Sequence, residues 1–128
     1  CSIFPKQVLE KVGYFNEKLF IDSVDFDYCL RVRLENYKII RSNRIFIAHD
    51  LGVAKRRYGL SYREHSSLRN YYMARNHRYL SQKYFKKFPY FILKKNFFFF
   101  LHFLQLIFLD QDFNKLKSLS KGFKENLL

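Results

Sequence analysis

Thirteen consecutive positions, Phe97 to Leu109, are almost wholly apolar, broken only by His102 and Gln105. A run like this has to leave water, so it limits the chain to folds that bury it, pair it or lay it on a membrane. A helix that crosses a bilayer needs ~18–20 apolar residues, and thirteen fall short. His102 and Gln105 weigh against a span as well. The run therefore predicts a buried helix or a helix lying in the membrane interface. Lys86, Lys87, Lys94 and Lys95 sit on its N-terminal side, as expected near anionic headgroups. Packing within a core, or between two copies of the chain, is the plainer account of the same pattern. Asp110 to Leu128 reads as a weaker amphipathic stretch.

Charge follows the same division. The chain of 128 residues carries a net charge of +13. Residues 1–52 hold 8 basic and 7 acidic side chains, whereas residues 53–128 hold 16 and 4. Between 53 and 95 there are 12 basic residues against Glu64 alone. Such a field favours phosphates, whether on nucleic acid, anionic lipid or a sugar nucleotide. With 48% apolar residues the chain has enough to build a core, which excludes general disorder. The length suits one domain or part of one. Cys1 and Cys29 are too few for a disulfide framework, and a reduced, cytoplasmic setting fits them. No leader with a cleavage site opens the chain. Its start in mid-pattern, without Met, reads as a fragment.

Local signals predict a helix from Pro5 to about Val12, ended by Gly13, and a second from about Val24 to Glu35 with Asp22 or Ser23 as its N-cap. Lys38–Ile40 and Arg44–Ala48 read as short strands around a Ser42-Asn43 turn. No Pro or Gly interrupts Tyr62 to Tyr84, which predicts one long basic helix. Pro89 breaks it or starts the next.

The acidic cluster Asp22-Ser23-Val24-Asp25-Phe26-Asp27 straddles the predicted start of the second helix. Free N–H groups and the helix dipole favour negative charge there. One carboxylate so placed can stay ionised and act as a general base. Simple helix capping explains the same residues.

Four blocks in order then resemble the second half of a family 2 glycosyltransferase, most closely the rhamnosyltransferase branch. They are Phe15-Asn16-Glu17 with Leu19-Phe20-Ile21-Asp22, Val24-Asp25-Phe26-Asp27-Tyr28-Cys29-Leu30-Arg31, His49-Asp50-Leu51-Gly52, and Arg69-Asn70-Tyr71-Tyr72-Met73-Ala74-Arg75-Asn76. The resemblance covers roughly residues 1–85. It implies an α/β fold, the C-terminal part of a Rossmann-like GT-A domain, with residues 1–60 on the acceptor side. Residues 61–128 would then form a helical, basic and aromatic extension in contact with the membrane. It implies inverting transfer of a sugar, rhamnose by this branch, from a nucleotide-sugar donor to a glycan or polyprenyl-linked acceptor. By position Asp25 takes the role of catalytic base, although Val24 stands where many members carry Glu. Asp22 and Asp27 would support the helix start or orient the acceptor. His49 would approach a diphosphate-bound Mg²⁺ or Mn²⁺, for which neutral imidazole is a suitable ligand. The nucleotide-binding half and its Asp-x-Asp are missing, so the chain alone is expected to be inactive; Asp25-Phe26-Asp27 has that form but sits at the helix start. Arg63, Arg69 and Arg75 are the candidates for phosphate contacts, because a guanidinium forks onto phosphate oxygens. The enzyme would sit peripherally on the cytoplasmic face of the membrane, with self-association through the apolar run open to it. The competing reading is a nucleic-acid-binding module built on the interleaved Tyr and Arg of residues 56–84; it leaves the acidic cluster without a task.

Overall fold

The computed structural model describes residues 2–44, 46–48 and 54–128. Helix α1 (Lys6–Val12) follows Pro5 and ends at Gly13, whose N–H donates to the Leu9 carbonyl at 2.9 Å. A short 3₁₀ turn, Glu17–Leu19, is capped by the Asn16 side chain and leads into α2 (Val24–Leu34). Val8 of α1 packs on Tyr28 and Val32 of α2. These two helices keep the boundaries their sequence predicts.

The segments 38–40 and 44–48 do not form strands among the described residues. Ile39, Ile40, Phe46 and Ile47 all face solvent, and among the described residues no strand lies beside them to complete a ladder. Pairing occurs further on, where β1 (Ala54–Arg57) and β2 (Leu60–Arg63) form an antiparallel hairpin in the register Ala54↔Arg63 to Arg57↔Leu60. Its two-residue turn places both Tyr58 and Gly59 at positive φ, 50° and 76°, the backbone twist that suits a tight hairpin. Gly59 adopts this freely; Tyr58 does not. Among the described residues this hairpin is the one sheet, and no parallel βαβ unit is present.

Helix α3 (Ser67–Tyr84) starts five residues later than its sequence predicts. Tyr62 and Arg63 belong to β2, and Ser66 caps the helix by accepting from the Arg69 N–H at 3.2 Å. Tyr79, Leu80 and Tyr84 of α3 form the main core with Leu19, Leu30 and Ile92. One core therefore joins the residues on either side of position 60, and the boundary expected there falls inside β2.

Pro89 opens α4 (Pro89–Gln105), where its missing N–H is harmless. The helix continues through a π-helical turn, Leu106–Asp110, and Gln111 turns left-handed to end it. The apolar helix thus spans 22 residues, Pro89 to Asp110, rather than thirteen. By length and composition alone it is long enough to cross a bilayer. Helix α5 (Phe113–Lys124), capped by the Asp112 side chain, returns along α3. The two come so close at Gly122 that an added Cβ would lie 2.0 Å from the Tyr71 carbonyl oxygen. Ala74, Leu106 and Leu119 fill the space beside this crossing.

Candidate active site at the start of helix α2

The loop into α2 is backbone-strained. Phe20, Asp22 and Ser23 all have positive φ (47°, 69° and 64°), a region that non-glycine residues occupy only at a cost of roughly 1–3 kcal/mol each. Something must hold them there, and helix α3 does. The Asn76 side-chain amide donates to the carbonyls of Leu19, Ile21 and Asp22 at 2.7, 2.8 and 2.9 Å. Beside it, Arg75 donates to the Lys18 carbonyl. Asn76 is fully buried, so its bonds are made away from competing water. Capping by Asp22 or Ser23 side chains, the plain expectation, does not occur. Ser23 stands at the N-cap position but is left-handed and makes no side-chain cap bond.

The three carboxylates of the cluster diverge. Asp22 pairs with Arg69 at 3.7 Å. Asp27 is buried and forms a hub. One of its oxygens accepts from Lys83 at 3.0 Å and from the Tyr84 hydroxyl at 2.7 Å, and the other from Arg31 at 3.0 Å. Arg31 also donates to the carbonyls of Val12 and Tyr14, so this hub ties α1, α2 and α3 together. Asp25 stands in the first turn of α2 and is exposed, with no hydrogen bond or ion pair among the described residues. One turn on is Cys29, whose thiol is pushed up by burial and by the Asp25 charge.

The arginines separate as well. Arg69 reaches the acidic loop through Asp22. Arg75 is turned inward: it lies 4.6 Å over the Tyr72 ring and 3.7 Å from Glu125, and it holds Lys18, so it is a clasp for the loop and not an open phosphate contact. Arg63 ends β2 with an exposed side chain, away from the carboxylates. His49 lies outside the described residues. Among the described residues no three His, Cys, Asp or Glu side chains come together to hold a metal ion.

Two half-buried histidines, His65 and His102, lie near the loop on the α4 side. His102 Nε2 lies 2.7 Å from the Asn70 amide oxygen, and its ring is 5.7 Å from that of His65. Burial lowers both below the ordinary histidine value. His77 stacks on Phe99 at 4.1 Å, and burial brings it down to about 4. Between this wall and the acidic loop lies a cavity of about 320 Å³. Lys95 enters it, with Nζ 3.3 Å from Ser23 Oγ. Sequence reading had placed Lys95 among the headgroup-facing lysines. The signal for its inward position was the stripe Ile92, Lys95, Phe99, His102 and Leu106, spaced by three and four residues on one side of α4. Asn76 carried no comparable signal, since a lone polar residue on a helix does not announce partners 54 to 57 positions away.

No family model and no solved structure matches the chain. Over 76 residues, 59% of its length, the chain is 30% identical to the low-salt glycan biosynthesis hexosyltransferase Agl10 of Haloferax volcanii. The matched stretch spans about a quarter of that relative. This likeness to a hexosyltransferase supports a relationship to the glycosyltransferases.

Proposed function

We propose that the chain forms the acceptor-side part of an inverting glycosyltransferase of GT-A type, with Asp25 as the catalytic base. The observation that carries this reading is the division of labour among the three carboxylates. Asp22 and Asp27 are engaged by cations, whereas Asp25 is presented to solvent at a helix N-terminus, on a loop that α3 holds in a strained conformation. In this reading the Asp25 carboxylate takes the proton of an acceptor hydroxyl. That oxygen attacks the anomeric carbon, the bond to the donor diphosphate breaks, and the diphosphate leaves with its charge. Arg69, exposed and paired with Asp22 beside the loop, is the arginine placed to meet that charge, as Arg75 is engaged internally. His49 and a divalent metal belong to the same reading through the resemblance alone. The donor is a nucleotide sugar, with dTDP-rhamnose as the specific expectation, and the acceptor is a lipid-linked or envelope glycan.

The outer face of α4 favours a peripheral position on a membrane, and the cytoplasmic side belongs to the reading through the resemblance alone. Leu93, Phe97, Phe98, Phe100, Leu101 and Phe108 are all exposed there, and Lys86, Lys87 and Lys94 precede or flank them. Lys95, Asn96 and His102 on the other side of the same helix make an interfacial placement a better fit than a span. The interleaved Tyr and Arg of α3, by contrast, are largely engaged within the fold: Tyr79 and Tyr84 are buried, and Arg75 covers Tyr72. That observation favours sugar transfer over nucleic-acid binding.

The test is sugar transfer by the full-length protein to membrane lipid extract, with dTDP-rhamnose and a panel of other nucleotide sugars. Asp25→Asn should lower turnover by about 10²–10⁴-fold with nucleotide affinity unchanged. Wild-type turnover in that variant would overturn the assignment of the base.

A further inference from the structure

Lys95 has an unusual setting for a lysine. Its ammonium lies 4.0 Å above the ring of Phe26 and 3.3 Å from Ser23 Oγ, at one end of the cavity beside the acidic loop. No carboxylate pairs with it among the described residues. Asp22 also borders the cavity, but its carboxylate is engaged by Arg69. The remaining walls are apolar or aromatic, from Met73 of α3 and Phe98 and Phe99 of α4, with the neutral His77 and His102 behind them. Phe98 is 56% exposed, so the same ring lines the cavity and belongs to the outer apolar face of α4. A cation sits at the inner end of this site, and an apolar path leads from it to the surface.

We propose that this cavity binds a phosphate carried on a single apolar chain, a lipid phosphate, with the phosphate on Lys95 and Ser23 and the chain running out over Phe26, Phe98 and Phe99. The inference rests on the glycosyl-transfer reading for its role, since the lipid would be the anchored end of the acceptor. Binding itself does not depend on that reading. Three features favour this occupant over others. A half-buried ammonium without a counter-ion is stabilised by an anion that enters with it. An apolar lining rejects a fully hydrated free anion but accepts one attached to hydrocarbon. At about 320 Å³ the cavity is near the lower bound of ~300 Å³ for small-molecule sites, enough for a head group and the first part of a chain but not for a second chain. Burial holds the Lys95 ammonium below its ordinary value, against the pull of Asp22, which is consistent with a cation short of negative partners.

The experiment is calorimetric titration of the full chain with farnesyl phosphate below its micellar concentration, with farnesol and inorganic phosphate as the other arms. Farnesyl phosphate should bind, and each of the other two should bind at least about tenfold more weakly, as expected for loss of one charge-assisted contact or of the apolar burial. Lys95→Met should weaken farnesyl phosphate by about ten- to a hundredfold, whereas Lys95→Arg should keep most of the affinity. The unfolding midpoint of each variant shows whether it is folded. Equal binding of farnesol overturns the phosphate assignment, and equal binding of inorganic phosphate overturns the lipid. Unchanged affinity in a folded Lys95→Met overturns the site. Should farnesyl phosphate bind through Lys95 while no nucleotide sugar is ever transferred, the lipid site stands and the glycosyl-transfer reading falls.

Discussion

The two sides of helix α3 are held by different physics. On one side, α1, α2 and the loop between them are fastened by a few directed polar bonds, from Asp27, Arg31, Arg75, Asn76 and Lys83. On the other, α4 rests on α3 mainly by apolar contact through Ile92, Phe99 and Leu106, with only the His102–Asn70 and Asn96–Ser81 hydrogen bonds beside it among the described residues, and its outer face is largely exposed. Directed bonds fix atoms to within fractions of an ångström, as a strained loop bearing a reactive carboxylate needs. Apolar contact fixes area but tolerates change, as a surface meant to lie against lipid needs. The contrast predicts that equal numbers of atoms removed from the two sides will have very unequal effects.

The largest effect is expected at the hub. Asp27→Ala would leave Lys83, Arg31 and the Tyr84 hydroxyl facing an empty buried site, for a loss of about 3–5 kcal/mol. Denaturant unfolding measures it, and a loss under ~1 kcal/mol would erase the contrast drawn here. Next comes Asn76→Asp, which sets a carboxylate against three carbonyl oxygens where an amide had donated. A loss of about 2–3 kcal/mol is expected, together with reduced protection of the amides of residues 20–23 in hydrogen exchange. Gly122→Ala probes the junction between α3 and α5. Its new methyl must push the Tyr71 backbone away, at about 1–3 kcal/mol by thermal unfolding.

A pH prediction follows from His77. Its folded-state value of about 4 lies below the ordinary 6.5, so the folded state binds this proton less readily than the unfolded one. The stabilisation is present above about 6.5 and is lost as pH falls toward about 4. Unfolding midpoints measured across that window should fall less steeply in His77→Gln. The smallest effect on stability belongs to α4's outer face. Phe97→Ser with Phe100→Ser should change the unfolding free energy within about ±0.5 kcal/mol per site, yet release the protein from anionic liposomes in a flotation assay. Flotation unchanged by that pair would remove the membrane from the account.

Much of this was legible in the residues and some was not, for reasons that differ by region. Helix α1 follows from Pro5 and Gly13, and the start of α2 from Ser23 at its N-cap position, all local signals, although Phe26 and Leu34, expected on one face with Leu30, are exposed. The hairpin was missed because Ala54-Lys55-Arg56-Arg57 lacks apolar alternation and its turn is Tyr-Gly, not one of the stronger hairpin pairs. Residues 38–40 looked like a strand because β-branched residues favour one, but a strand is made by its neighbour, and none is at hand there. At the candidate site, the acidic cluster was visible and its internal division was not. Which of Asp22, Asp25 and Asp27 stays unpaired depends on Arg69 and Lys83, more than forty residues away. Arg75 was weighed as a charge, and its neighbour Asn76 turns out to hold the loop.

The clasp also sets an order of events as the chain is made. Residues 20–23 cannot settle into their left-handed conformation from local preference, which opposes it. They must wait for Asn76, more than fifty residues later. On a ribosome the carboxylate loop therefore stays unformed until α3 has emerged. The reactive geometry appears only in a molecule that has already closed its core.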